Sequence, residues 1–124
     1  MKITAFNPLI VSKDPESIIK LFEEFGFEKK HLKEEIDGRD ITSTVLQDAN
    51  GNHVDVAKST IVPQDLTMIR MNVADFDETY KYLIERGFRN AQGDHVVDTG
   101  SSKSAMMISP SGFAFDLVQH IKDN

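Results

Sequence analysis

The chain has no cysteine and no tryptophan, no basic surplus and no long apolar run. Without cysteine there is no disulfide, no thiolate nucleophile and no cysteine-ligated zinc or iron–sulfur site, so any catalysis or metal binding falls to His, Asp, Glu or hydroxyl groups. Lys plus Arg number 14 against 20 Asp plus Glu, a net charge of −6. An acidic surface repels a phosphate backbone, which argues against nucleic acid as a partner. No stretch approaches the roughly 20 apolar residues of a membrane-spanning helix, so no membrane partner is expected. The start, Met1-Lys2-Ile3-Thr4, lacks the apolar core of a signal peptide, and the expected location is cytoplasmic. There is no P-loop, no dinucleotide fingerprint and no His-Glu-x-x-His, and Gly100-Ser101-Ser102 lacks the second glycine of a nucleophile elbow. What remains is ordinary for a globular chain: 124 residues, 40% hydrophobic and 27% charged, enough for one domain.

The punctuation of the chain occurs twice. Asp14-Pro15 precedes Ile18, Leu21, Phe22 and Phe25 at helical spacing, and Gly26-Phe27 follows. Asp suits an N-cap, Pro the first helical position and Gly the position just past the end. Further on, Asp75 precedes Phe76, Tyr80, Leu83 and Ile84, then Gly87-Phe88; Asp75 with Glu78 has the spacing of a capping box. The offset is 61 residues for the caps and for the stops, and also for Gly51 with Gly112 and Asp55 with Asp116. Nine positions are identical at this offset, and they fall on a cap, a helix stop, a turn and a strand, which predicts an internal repeat.

Each half reads as β-α-β-β-β. In the first, residues 3–11 form a strand before the helix. Residues 29–36 follow it, Asp37-Gly38 makes a hairpin turn, and residues 41–47 and 53–57 flank a turn at Asn50-Gly51. In the second, residues 67–73 form a strand, 78–86 the helix, and 95–98, 105–108 and 113–119 strands, with Ser109-Pro110-Ser111-Gly112 as a turn. Module one is expected over residues 1–59 and module two over 65–124, within a single domain of 1–124.

Two such modules, with a capping Asp before the helix, Gly-Phe after it and a turn Gly leading to an acidic residue on the last strand, resemble the vicinal oxygen chelate superfamily. Its members include glyoxalase I, bleomycin-resistance proteins, fosfomycin-resistance enzymes and extradiol dioxygenases. The resemblance implies an α+β fold in which the modules form a curved, eight-stranded incomplete barrel around a cleft, helices outside, and it implies a homodimer. It also implies metal-ligand positions: one on each first strand, seven residues before the capping Asp, and one on each last strand, four residues after the turn Gly. Here these are Asn7, Asp55, Met68 and Asp116. A thioether does not suit a hard divalent ion, Asn is a poor substitute for imidazole, and Asp is shorter than the usual Glu. No metal cofactor is therefore expected.

Strand alternation places Asn7, Leu9, His53 and Asp55 on the cleft face of module one, and Met68, Arg70, Asp116 and Val118 on that of module two, with Phe6 and Ile10 toward the helix. Apolar walls with a few polar anchors suit a small-molecule ligand. Arg70 is expected to balance Asp116 or Asp55, or else to clamp an anionic ligand, since a buried charge needs a partner. The function expected is metal-independent binding of a small molecule, of the glyoxalase/bleomycin-resistance type. The alternative is a divalent-metal lyase or transferase resembling glyoxalase I or the fosfomycin-resistance enzymes.

Overall fold

Asp14 and Asp75 each open a helix, α1 over Pro15–Glu24 and α2 over Phe76–Glu85. The first N–H groups of a helix have no partner within it. The Asp14 carboxylate accepts the Ser17 N–H at 3.5 Å and the Ser17 hydroxyl at 3.0 Å, and Asp75 accepts the Glu78 N–H at 3.1 Å. The second helix starts two residues before the expected 78, because the cap itself sets the start. Its first residue, Phe76, carries an N–H that Pro15 lacks at the same place in module one, and the side chain of Gln119 accepts it at 2.6 Å. Both helices stop alike. Gly26 and Gly87 take φ of +97° and +89°, and the following Phe27 and Phe88 donate back to Phe22 and Leu83, each at 3.0 Å.

The computed structural model describes residues 1–33, 42–60 and 62–121. The Asp37-Gly38 turn, with the ends of the two strands expected around it, lies outside the described residues.

In module one, β1 (Ile3–Ser12) runs parallel to β4 (His53–Lys58), which is antiparallel to β3 (Thr42–Gln47), which is antiparallel to β2 (Glu28–Lys33). In module two, β5 (Leu66–Val73) runs parallel to β9 (Ala114–His120), and β9 is antiparallel to β8 (Ser102–Ile108). The remaining short strands, β6 (Arg89–Asn90) and β7 (Val97–Asp98), both pair with β8. The 61-residue offset holds in the ladders. Leu9 pairs with Asp55 and Arg70 with Asp116; Gln47 pairs with His53 and Ile108 with Ala114. The tight turns match too: Gly51 donates to Asp48 and Gly112 to Ser109, at φ of +85° and +99°. At the first turn, the Asn52 side chain and the Asn50 and Asn52 amides donate to Asp48, which lowers its carboxyl pKa. The α+β reading and the doubled β-α-β-β-β order are thus borne out.

One strand differs from expectation. Where one strand was expected at 95–98, the described residues hold two short ones, β6 and β7, both on β8. Asn90 explains the break. Its side chain is nearly buried, donates to the His95 carbonyl at 2.8 Å and accepts the Gln92 N–H at 2.9 Å, so it ties a turn in place of a continuing ladder.

Two compact units result: Asn7–Thr67, and Met68–Asn124 joined by Met1–Phe6. Each has its own core on the helix side of its strands. In the first, Ile19, Leu46, Val54 and Val56 are buried with Ile10, Ile18, Phe22 and Phe27 packed on them. In the second, Val73, Phe76, Leu83, Ala105, Met107, Phe115 and Leu117 are buried. The first residues of β1 belong with module two, where the Ala74 N–H donates to the Lys2 carbonyl at 3.0 Å. Phe6, expected on the helix side with Ile10, is instead 56% exposed. It belongs with Met1–Phe6 to the other unit, apart from Ile10 and the first core.

Candidate functional site

Alternation along the last strand of each module separates core from site. Val54 and Val56 pack into the first core, so Asp55 between them points to the other face; Phe115 and Leu117 do the same for Asp116. The other face of module one carries Leu9 beside Asp55, both buried at 3% and 2% exposure. Asn7 stands two residues before Leu9 and is partly buried, and His53 is exposed at the start of β4. Val45 of β3 pairs with Asp55 and completes the row.

The other face of module two has the same layout with a different charge pattern. Arg70 occupies the position of Leu9 and stands directly opposite Asp116. Its Nε donates to Asp116 Oδ2 at 2.9 Å, and both side chains are largely shielded, at 18% and 17% exposure. Asp116 is one of the two partners expected for Arg70. Around the pair the surface is apolar: Met68 and Val118 are buried, and Met106 of β8 pairs with Asp116. One register step on, Asn72 pairs with Val118, which pairs with Ser104. The Asn72 Oδ1 is buried and has no hydrogen-bond partner among the described residues. A buried acceptor left in that state costs about 1–3 kcal/mol, which marks Asn72 as a residue whose side chain is not there for packing alone.

The structure joins Leu9 to Asp55 and Arg70 to Asp116 as ladder neighbours, with Asp55 and Asp116 on the face opposite their cores. Val45, Met106 and Ser104 were not among the expected residues. They sit on the middle strands, and counting back from the Gly51 and Gly112 turns would have found them, since each turn sets which residues pair.

Solved structures that resemble this chain share its architecture. A methylmalonyl-CoA epimerase from Mycobacterium tuberculosis matches 97% of the chain and 90% of its own length, at a TM-score of 0.75 and 16% identity. A member of the glyoxalase/bleomycin resistance protein/dioxygenase superfamily from Vibrio splendidus matches at 0.62 over 95% of this chain and 99% of its own, with 18% identity. The chain has the vicinal oxygen chelate fold. A glyoxalase I mutant from Zea mays matches 98% of this chain at a TM-score of 0.68 and 15% identity, the match covering 45% of the maize chain. No protein-family model matches the sequence, and no curated protein matches it.

This fold implies a metal for many of its members, and the residues present do not fit one. Of the four positions, Met68 offers a thioether and Asn7 an amide, neither of them a good ligand for a hard divalent ion. Asp116 already holds a guanidinium, and a dication placed at that carboxylate would sit beside a fixed positive charge. Among the described residues, no group of three or more His, Cys, Asp or Glu could hold an ion.

Proposed function

We propose that this chain is a small-molecule-binding protein of the glyoxalase/bleomycin-resistance type that works without a metal. The observation that supports it is the Arg70–Asp116 pair. A position that resemblance assigns to a metal ligand is instead the anionic half of a shielded ion pair, set among Met68, Met106 and Val118. Such a surface offers hydrogen bonds and apolar contact to an organic ligand, and no Lewis acid. Residues Asn7, Leu9, His53, Asp55, Met68, Arg70, Asp116 and Val118 are the proposed ligand contacts, in a cytoplasmic homodimer.

Two measurements test this. Elemental analysis of untagged protein, and titration with Ni²⁺, Zn²⁺, Mn²⁺ and Fe²⁺, should give no stoichiometric metal. Metal at one equivalent, lost in Asp55→Ala, would overturn the reading in favour of a metal-dependent lyase or transferase. Thermal unfolding against a panel of small partly apolar molecules should then find a stabilising ligand, and Arg70→Ala should remove that stabilisation. The panel includes an acyl-CoA thioester, because neighbours of the same fold are methylmalonyl-CoA epimerases, one of them from Streptomyces coelicolor in complex with 2-nitronate-propionyl-CoA.

A further inference from the structure

One asparagine of this chain stands before a glycine: Asn50, followed by Gly51. The pair favours a tight hairpin turn, because both residues tolerate the backbone that such a turn needs. It is also the pair least guarded against attack by the main chain on the side-chain amide, since glycine puts no side chain in the way. The other described asparagines are guarded. Asn7 precedes Pro8, which has no N–H, and Asn72 precedes the β-branched Val73 in a strand. The side chains of Asn52 and Asn90 are held by hydrogen bonds. At the repeat position in module two, Ser111 precedes Gly112 and has no amide to lose.

The tip of the β3–β4 hairpin leaves Asn50 open to that attack. Asn50 and Gly51 are both exposed, and the Asn50 side chain makes no hydrogen bond among the described residues. Beyond its chain neighbours, nothing lies within 4 Å of where a side chain on Gly51 would begin, so a ring has room there. The Gly51 N–H donates to the Asp48 carbonyl at 3.3 Å, at the long end for such a bond. The firmer hold is the Asp48 carboxylate. Its Oδ1 accepts the Asn50 and Asn52 N–H groups at 3.0 and 2.8 Å, and its Oδ2 accepts the Asn52 side chain at 2.8 Å. These bonds fix the main chain on both sides of the Asn50–Gly51 bond and oppose the rotation that ring closure needs.

We propose that Asn50 is a site of covalent self-modification, converting to aspartate and isoaspartate with Asp48 as the brake. The Gly51 nitrogen forms a bond to Asn50 Cγ, the bond from Cγ to the side-chain nitrogen breaks, and ammonia leaves with the proton of the Gly51 N–H. Water then opens the cyclic imide. Cleavage between Cγ and the Gly51 nitrogen gives aspartate; cleavage between the Asn50 carbonyl carbon and that nitrogen gives isoaspartate. Nothing is oxidised or reduced, and water is the only co-reactant. Either product places a second carboxylate near Asp48, and isoaspartate also lengthens the main chain by the Asn50 Cβ. Like charges at such a turn repel, so the grip of Asp48 on Asn52 weakens. His53 and Asp55 follow in β4, so the change reaches the proposed ligand contacts. That last consequence rests on the ligand reading; the modification does not.

Peptide mass spectrometry of the folded full chain, aged at mildly alkaline pH, tests it. The peptide holding Asn50 should gain about 1 Da with time and split into aspartate and isoaspartate forms. Asn50→Ser, which copies module two, should abolish the gain. Asp48→Ala should speed the conversion severalfold, and the chain unfolded in urea should convert faster than the folded one. Asp75→Ala, which removes a helix cap far along the chain at a similar cost in stability, should leave the rate unchanged and so separates a loosened turn from a loosened fold. Asn50→Asp, which supplies the product charge at once, should speed hydrogen exchange at Asn52 and His53 before that in β8 and β9. The proposal is overturned if the folded chain gains no mass while the urea-unfolded chain converts, or if Asp48→Ala converts no faster than the natural chain. It is likewise overturned if Asp75→Ala speeds the reaction as much as Asp48→Ala does. Unchanged exchange in Asn50→Asp would refute the loosening of the hairpin.

Discussion

Arg70 and Asp116 are held opposite each other by the parallel ladder of β5 and β9, so little side-chain freedom is lost in forming their 2.9 Å contact. The pair lies between two limits: exposed ion pairs contribute about 0–1 kcal/mol, and breaking a buried one costs about 3–5. Arg70→Ala should therefore cost about 2–4 kcal/mol in urea unfolding, since it leaves Asp116 half-shielded without its guanidinium. The double variant Arg70→Leu with Asp116→Leu should cost less than either single change, because two apolar groups on an apolar face leave no stranded charge. Additive losses would show that the pair is not coupled. Asn72 makes the opposite prediction. Replacing it with Leu removes a buried acceptor that lacks a partner among the described residues, and should raise stability by about 1 kcal/mol. A loss instead would mean that the Asn72 amide holds the fold.

The elements show where the two modules, alike in pattern, differ in strength. Asp75 caps α2 at 3.1 Å, and Asp14 caps α1 at 3.5 Å but also takes the Ser17 hydroxyl. Asp75→Ala and Asp14→Ala should each cost about 1 kcal/mol. Gln119→Leu should add a loss of about 1–2 kcal/mol in α2 only, since it strands the Phe76 N–H, for which module one has Pro15 and no N–H at all. Equal losses on replacing Gln119 and its repeat partner Lys58 would refute that asymmetry. The turn between β3 and β4 adds a pH dependence. The Asn52 side chain and then the neighbouring amides favour the ionised Asp48, so its folded pKa lies below its unfolded one. Its contribution is present at neutral pH and is lost as pH falls below the ordinary aspartate range. The stability gap between the natural chain and Asp48→Ala should accordingly shrink on acidification; a gap independent of pH would rule this out.

On the scale of the whole molecule, the division of the chain does not follow the repeat. The sequence offset counts residues 1–6 with module one, whereas packing counts them with module two. Deleting residues 1–5 should thus accelerate hydrogen exchange in β5 and at Ala74, whose N–H loses the Lys2 carbonyl, before it affects β3 and β4. Faster exchange in β3 and β4 first would contradict the division.

Much was legible from residue types and their spacing. Caps, helix stops and turn glycines act through bonds a few residues long, so Asp14, Gly26, Gly51 and their partners 61 residues on could be read without a fold. Strand alternation, a property of the backbone, likewise put Arg70, Asp55 and Asp116 on the faces they occupy. Tertiary structure decided what depends on distant neighbours. The break at Asn90 required the His95 carbonyl, the meeting of Arg70 with Asp116 required the β5–β9 register, and the exposure of Phe6 required the departure of the first residues to the other unit. Pairwise spacing along a chain specifies which atoms can meet locally. Which charged side chains meet across a ladder is settled only when strands far apart in sequence lie side by side.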